Sequence, residues 1–195
     1  MNTFYPPEMK PVQYFGVDPG KNGAIVKYTD IFKSFKMETL HGNVSLLCEW
    51  FREQADICDN PLVVVEKIST FSKDFGGANE TPEQRNARIG RARQLDKMKS
   101  HYSELLTAIK LSKMPYVDIT PRSWQSYLEL PKEKDYTIRK RRFKAAAQEF
   151  APMHKVYGWN ADAVLLIEFA IKKLHFDKKY ILNKLKEKQP EQKIF

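Results

Sequence analysis

This chain of 195 residues has few cysteines and short apolar runs, and its start does not resemble an export signal. Its two cysteines, Cys48 and Cys58, do not have the spacing of metal ligands. The longest apolar stretch, residues 163–171, is interrupted by Glu168 and falls far short of the roughly 20 residues of a membrane span. The start, MNTFYPPEMK, lacks the apolar segment of a signal peptide. These absences predict a soluble protein without a membrane partner, with reduced thiols, in a cytosol-like compartment.

Positive charge is abundant, with 33 lysines and arginines against 24 acids and a net charge of +9. This excess predicts a polyanionic partner, either nucleic acid or an anionic membrane surface. The basic residues cluster at 85–93, at 132–144 and from Lys172 onward. Any one cluster could be a solvated helix face. Three clusters in one small domain favour nucleic acid.

Apolar patterning predicts an α/β domain. Strands are expected at 12–18, 22–28, 31–37, 62–66 and 116–119, and helices at 44–55, 82–111, 121–128, after 135 to 150, and after 160. Asn43, Thr120 and Asn160 are the expected helix caps, and an interruption of the second helix at Gly90 stays open. This order predicts a mixed five-stranded sheet with helices on both faces. The domain spans 12–174, between an N-terminal extension at 1–11 and a basic tail at 175–195.

The stretch from Ser69 to Glu83 has the composition of a loop, with Gly76, Gly77 and Pro82. It is long for a compact domain, and such loops are more often functional than idle. Because it begins beside Glu66, we expect a flap that contacts the substrate.

Three acidic residues, Asp18, Glu66 and Asp162, each end an apolar run or begin an apolar helix. Glu66 follows the strand-like run 62–65, where an ionised side chain costs several kcal/mol unless it is paired or metal-bound. Carboxylates in such places are typical of a divalent metal site. Two simpler roles stay open: Asp18 could be a turn former before Pro19 and Gly20, and Asp162 could complement the dipole of its helix.

Four motifs together carry a family resemblance: GVDPG in the first strand, VVVEK ending the fourth, ITPRSWQ after the fifth, and an ADA-containing apolar helix. In this order they resemble the RuvC-type Holliday junction resolvases, particularly phage-encoded ones, of the ribonuclease H-like superfamily. The resemblance covers about residues 12–174. It implies a ribonuclease H-like fold, a homodimer, and paired nicks that resolve four-way DNA junctions during recombination and repair. It also implies Mg²⁺ or Mn²⁺, two ions per active site, and the cytoplasm of a bacterium or a phage-infected host.

Asp18, Glu66 and Asp162 match the first-strand aspartate, the fourth-strand glutamate and the last-helix aspartate of that family. On this resemblance Asp18 bridges both ions, Glu66 holds one and Asp162 the other, as two-metal phosphodiester hydrolysis requires. The chain departs from the family at Trp159, where an acid or a histidine is usual three positions before the final aspartate. Asn160 is then the nearest oxygen donor and a candidate metal ligand, although its cap role is favoured.

Further candidates for the missing group are His154 and Lys155, of which Lys155 could supply a positive charge near the phosphate instead. Glu168 lies six positions after Asp162, a rotation of about 240° along a helix, and is expected to point elsewhere.

Contacts to DNA are expected from basic residues, which bind phosphates, and from loop phenylalanines, which stack on bases. Trp124 is expected to pack in the core, and the stripe from Leu95 to Ile109 could serve either the core or a dimer face. The predicted DNA-contacting residues are Lys21, Phe71, Lys73, Phe75, Arg85, Arg88, Arg91, Arg139, Lys140, Arg141 and Arg142.

Two other functions compete with the nuclease. An actin-like or sugar-kinase-like phosphate-binding domain shares the glycine-containing opening hairpin, but it needs two such domains and a second phosphate loop, and this chain has neither the length nor the second glycine turn. A non-catalytic branched-DNA-binding relative with a degraded metal site is the stronger rival, because of Trp159.

Overall fold

The computed structural model describes residues 12–20, 23–29, 32–36, 43–58, 60–68 and 80–174. The predicted N-terminal extension, the basic tail, most of the predicted flap, and the predicted DNA contacts Lys21, Phe71, Lys73 and Phe75 lie outside these residues. The described elements are β1 (Gln13–Val17), β2 (Ala24–Tyr28), β3 (Phe32–Lys36), α1 (Val44–Ile57), β4 (Pro61–Glu66), α2 (Pro82–Leu111), β5 (Tyr116–Ile119), α3 (Pro121–Tyr127), α4 (Tyr136–Phe150) and α5 (Ala161–Phe169), which continues as a π-helical turn at Ala170–Leu174.

The strands form one sheet in the order β3-β2-β1-β4-β5. β1 pairs antiparallel with β2 and parallel with β4, β2 pairs antiparallel with β3, and β4 pairs parallel with β5. The prediction of a mixed sheet in an α/β fold is therefore confirmed. β1 and β4 lie at the centre in matched register, with Val17 opposite Val65.

Alternate side chains of the central strands point to opposite faces of the sheet, as a period of two requires. Tyr14 and Val64 belong to one buried cluster, which holds α3, α4 and α5 against the sheet. Phe15 and Val63 belong to a second buried cluster, which holds α1 and α2 on the other face. Helices thus cover both faces, which explains why β4 is apolar along almost its whole length.

Helix α5 lies directly against β1 because Gly16 has no side chain. A Cβ atom built on Gly16 would be 2.0 Å from the carbonyl oxygen of Ala163 and 3.0 Å from Cγ1 of Ile167. This close approach brings the first turn of α5 to the end of β1.

Several helices begin where capping residues in the sequence predict. The side chains of Asn43 and Thr120 cap α1 and α3, as predicted. Thr81 and Gln84 form a reciprocal capping box at the start of α2. That helix runs without interruption through Gly90. None of the helices in the described part of the chain is long and apolar enough to cross a membrane.

Candidate active site

The three predicted acidic residues meet at one edge of the sheet. Asp18 directly follows β1 and Glu66 ends β4, and these two strands are parallel neighbours whose carboxyl ends lie side by side. Asp162 lies in the first turn of α5, which packs on β1. All three line a single cleft of about 920 Å³, here called the strand-end cleft. Its other lining residues are Gly20, Gly23, Gln94, Lys97, Met98, His101, Pro121, Gln125, Tyr136, Arg139, Lys140, Phe143, Gly158 and Trp159.

The turn after β1 fixes the Asp18 side chain. Its Oδ1 accepts a hydrogen bond from the backbone N–H of Gly20 at 3.0 Å, and the Asp18 backbone pairs with Ala24 across the hairpin. A Cβ on Gly23 would be 2.1 Å from the Asp18 carbonyl oxygen and 2.9 Å from its Cγ. Asp18 therefore forms the turn and lines the cleft at the same time.

Glu66 holds its carboxyl group in an environment that opposes ionisation. Burial, followed by the negative charges of Asp18 and Asp162, raises its pKa to about 8. Its Oε2 is buried and has no hydrogen-bond partner among the residues that the structure describes. The indole N–H of Trp124 lies close enough to lower the pKa of Glu66, but the two do not reach hydrogen-bond geometry. Trp124 itself is fully buried, as predicted.

Burial raises the pKa of Asp18 as well, and the charge of Asp162 adds to the effect. The shared cause is that three carboxylates line one poorly solvated site. A cation would offset both the cost of burying these charges and the repulsion between them, because it stabilises the ionised form of each group.

A lysine is part of the cleft and supplies some of this positive charge. Lys140 Nζ donates to Asp162 Oδ2 at 2.6 Å. Burial works against the charge of Lys140, but the Asp162 carboxylate raises the pKa of the ammonium above its ordinary value. The second oxygen of Asp162, Oδ1, is buried with no partner within the described part of the chain.

The donor set suits a hard divalent cation, since carboxylate oxygens are the ligands that Mg²⁺ prefers. Two of these carboxylates present buried oxygens with no described partner, Glu66 Oε2 and Asp162 Oδ1. Within the described residues, however, no three His, Cys, Asp or Glu side chains are gathered closely enough to surround one ion. The three carboxylates repel one another and Lys140 holds Asp162, so closing around an ion requires movement of these side chains.

Asn160 is placed differently from the prediction. It occupies the N-cap position of α5, yet its side chain makes no capping hydrogen bond to the described helix. Its Oδ1 instead accepts from the backbone N–H of Tyr157 at 2.7 Å. Asn160 is fully buried and is not among the cleft-lining residues, so its placement gives no support for metal ligation.

Trp159, the departure from the family pattern, lines the cleft and stacks on Tyr157 with ring centroids 5.7 Å apart. His154 and Lys155 are not among the lining residues. Glu168 points away from the cleft, as predicted, and pairs with Lys172 at 2.6 Å.

Comparison with known proteins identifies the fold. No protein-family model matches the chain, and no curated protein matches it. Thermus thermophilus RuvC in complex with a Holliday junction substrate aligns with a TM-score of 0.51 at 12% sequence identity, over 85% of this chain and 96% of that one. The chain has a RuvC-like fold. A second structure of Thermus thermophilus RuvC gives a TM-score of 0.48 at 14% identity, over 82% of this chain and 95% of that one.

Helix α2 contributes a polar face to the cleft of this RuvC-like fold that sequence reasoning missed. Gln94, Lys97, Met98 and His101 line the cleft and recur at helical spacing. Their periodicity was visible in the sequence, but which face of α2 meets the strand ends depends on how the helix packs. Tyr136 of α4 and Gln125 of α3 also line the cleft, and they too could not be predicted without knowing how their helices pack.

The predicted basic contacts separate into two groups. Arg139 and Lys140 line the cleft, and Arg141 and Arg142 are exposed on the same helix. On α2, Arg85 and Arg91 are exposed, whereas Arg88 pairs with Glu80 through hydrogen bonds of 3.0 to 3.2 Å.

Gln148 is a further positioning residue that the sequence did not single out. Its amide nitrogen donates to the carbonyls of Ala151 and His154, and its oxygen accepts from the N–H of Val156. These bonds fix the loop between α4 and α5. The loop in turn sets where Trp159 and Asp162 stand.

Proposed function

We propose that this protein is a metal-dependent endonuclease that cuts branched DNA, with four-way junctions as the principal substrate. The observation that carries the proposal is the convergence of Asp18, Glu66 and Asp162 on one cleft at the carboxyl ends of the central strands. The RuvC-like fold supports it, since one solved structure of that fold is bound to a Holliday junction substrate.

Each cleft residue has a role in this chemistry. Asp18, Glu66 and Asp162 would hold Mg²⁺ or Mn²⁺, and a bound divalent ion activates the attacking water and stabilises the leaving oxygen. Asp18 is held in place by its turn, and Asp162 by a helix that is buried on nearly all sides. Glu66 ends a buried strand, which fixes its backbone and leaves its side chain to adjust around the ion.

The cleft is also suited to a nucleic-acid backbone. Lys97 and Arg139 stand with the carboxylates along its lining, and the adjoining α4 surface exposes Arg141 and Arg142. Phosphate contacts of this kind give affinity that depends on salt but not on sequence. Selectivity for junctions would come from two copies of the chain that hold two clefts at a fixed separation, so we include a homodimer in the proposal.

The alternative function is binding of branched DNA without cleavage. The observation that favours it is Trp159, which fills a place in the cleft without offering a metal ligand. The two functions make opposite predictions about cleavage.

The test is a cleavage assay on a labelled mobile four-way junction in Mg²⁺ or Mn²⁺. We expect symmetric paired nicks from the wild-type protein. Asp18→Asn and Glu66→Gln should reduce cleavage below detection, because each removes a negatively charged ligand, while gel-shift affinity for the junction stays within about threefold.

Glu168→Gln is the matched control, since it removes a carboxylate that pairs with Lys172 outside the cleft. This variant should cleave at the wild-type rate. Junction binding without cleavage by the wild-type protein in both metals would establish the non-catalytic alternative instead.

A further inference from the structure

Lys140 is the cation of the strand-end cleft that pairs directly with one of its three acidic residues, Asp162. Its ammonium lies 2.6 Å from Asp162, and only 26% of its side chain and 11% of that of Asp162 are exposed. Its charge also acts on Asp18 and on Glu66. Lys140 is thus coupled to all three carboxylates, and most closely to Asp162.

The packing of α4 against α5 places Lys140 in the cleft. Phe143, three residues further on, is buried against Trp124 with ring centroids 5.7 Å apart. Ala147, a further turn along the same face, is fully buried, and α4 packs along α5. Because the same helix face holds Phe143 and Ala147 in the core, Lys140 is brought to Asp162 by a fixed element.

The charges of the three carboxylates and of Lys140, which pairs with one of them, favour one divalent ion over two at this point of the cleft. Three ionised carboxylates carry about three negative charges, and Trp159 brings none to the lining. One divalent ion and the Lys140 ammonium together supply three positive charges. Two divalent ions would supply four, beside a lysine that is already hydrogen-bonded to Asp162.

We propose that Lys140 takes the place of a second metal ion, so that the cleft binds one divalent ion between Asp18 and Glu66 while the ammonium holds Asp162. This inference rests on the proposed function and narrows it: Asp18 and Glu66 remain the metal ligands, and Asp162 becomes the partner of Lys140 instead. An ammonium has three N–H donors, and the bond to Asp162 uses one of them. Lys140 can therefore also donate to a phosphate oxygen of the strand being cut, which is a role that a second metal ion would otherwise fill.

The test counts bound metal without relying on activity. Mn²⁺ is titrated into the purified full-length chain, and free Mn²⁺ is measured from its electron paramagnetic resonance signal. We expect one ion per chain in the wild type. Lys140→Gln frees Asp162 and should raise the number to two, while cleavage of the junction falls at least tenfold despite the additional metal.

Lys110→Gln is the matched control, because it removes the same charge from an exposed position at the end of α2 that does not line the cleft. It should bind one ion and cleave normally. Thermal unfolding of each variant checks that the fold is retained.

Other outcomes overturn the inference in distinguishable ways. Two ions in the wild type, or one ion in both the wild type and Lys140→Gln, would exclude the substitution by lysine and leave the metal-dependent nuclease intact. No bound Mn²⁺ in either protein would remove the metal site itself, and the proposed function with it.

Discussion

At the scale of single residues, burial and mutual repulsion make ionisation of the cleft carboxylates unfavourable, and a bound metal ion would offset this cost. Glu66 follows three valines with no solvent exposure, and burial first, then Asp18 and Asp162, raise its pKa to about 8. Groups with strongly shifted pKa values are typical of functional sites, because a structure selected only for stability would pair or remove them.

This environment predicts an unusual pH dependence of stability in metal-free protein. Between the ordinary Glu pKa of 4.5 and the native value of about 8, the native state keeps a proton on Glu66 that the unfolded chain has lost. The free energy of unfolding contributed by this group is therefore present at low pH and falls as pH rises through that window, by at most about 1.4 kcal/mol per pH unit. Burial shifts Asp18 in the same direction.

Urea denaturation in EDTA at pH 5.5 and 8.5 measures this effect. Burial lowers the pKa of His154, which titrates with the opposite sign, so the comparison is made between the wild type and Glu66→Gln. The variant should lose less stability than the wild type over this range. Equal losses in the two proteins would contradict the raised pKa of Glu66, and added Mg²⁺ should stabilise only the wild type at pH 8.5.

At the scale of elements, the site depends on how closely α5 approaches β1. We expect Gly16→Ala to destabilise the protein by about 1 to 3 kcal/mol, because the new methyl group overlaps the Ala163 carbonyl, 2.0 Å away. Displacement of α5 also moves Asp162 relative to Lys140, so cleavage of the four-way junction should fall with stability. Urea denaturation and the junction-cleavage assay measure the two effects.

Gly90→Ala is the matched control for this substitution. No described atom lies within 4 Å of a Cβ at Gly90, which is exposed inside α2. Replacing a glycine inside a helix should raise stability by up to about 1 kcal/mol. If both substitutions had the same effect, close packing at Gly16 would not be what places α5.

Elements were predictable from the sequence to the extent that their signals are local. Alternating and apolar runs predict β1, β2 and β4, and Asn43 and Thr120 mark helix starts, because neighbouring residues determine these features. The sequence also predicted that Asp18 and Glu66 stand at the ends of strands. Their shared edge then follows from parallel pairing of β1 and β4.

Contacts between distant elements were not predictable in the same way. Lys140 and Asp162 are 22 positions apart, and their ion pair requires the packing of α4 on α5. Lys140 appeared in the sequence only as one member of a basic run, with no signal separating it from Arg141. Asn160 was expected to cap α5, but the loop before the helix offers its side chain the N–H of Tyr157 instead.

At the scale of the whole molecule, positive charge is distributed unevenly among the helices that cover the sheet. The helices on the face that carries α5 include the basic run of α4, with Arg139 in the cleft and Arg141 exposed beside it. On the opposite face, α2 carries a second basic run, which includes Lys97 in the cleft, whereas α1 has one arginine, Arg52, which is exposed. If DNA lies along α4, removal of a positive charge from α4 should change the salt dependence of DNA binding, and removal of one from α1 should not.

Salt dependence of junction binding tests this arrangement. Arg139→Gln should lower the slope of log affinity against log salt concentration by about 1, because each phosphate contact releases close to one counterion. Arg52→Gln removes the same charge and should leave the slope unchanged. Fluorescence anisotropy from about 50 to 200 mM KCl, with Asp18→Asn as background to prevent cleavage, gives both slopes. Equal reductions would mean that the net charge of +9 attracts DNA without a defined path, whereas a loss confined to Arg139 would place a phosphate at the strand-end cleft.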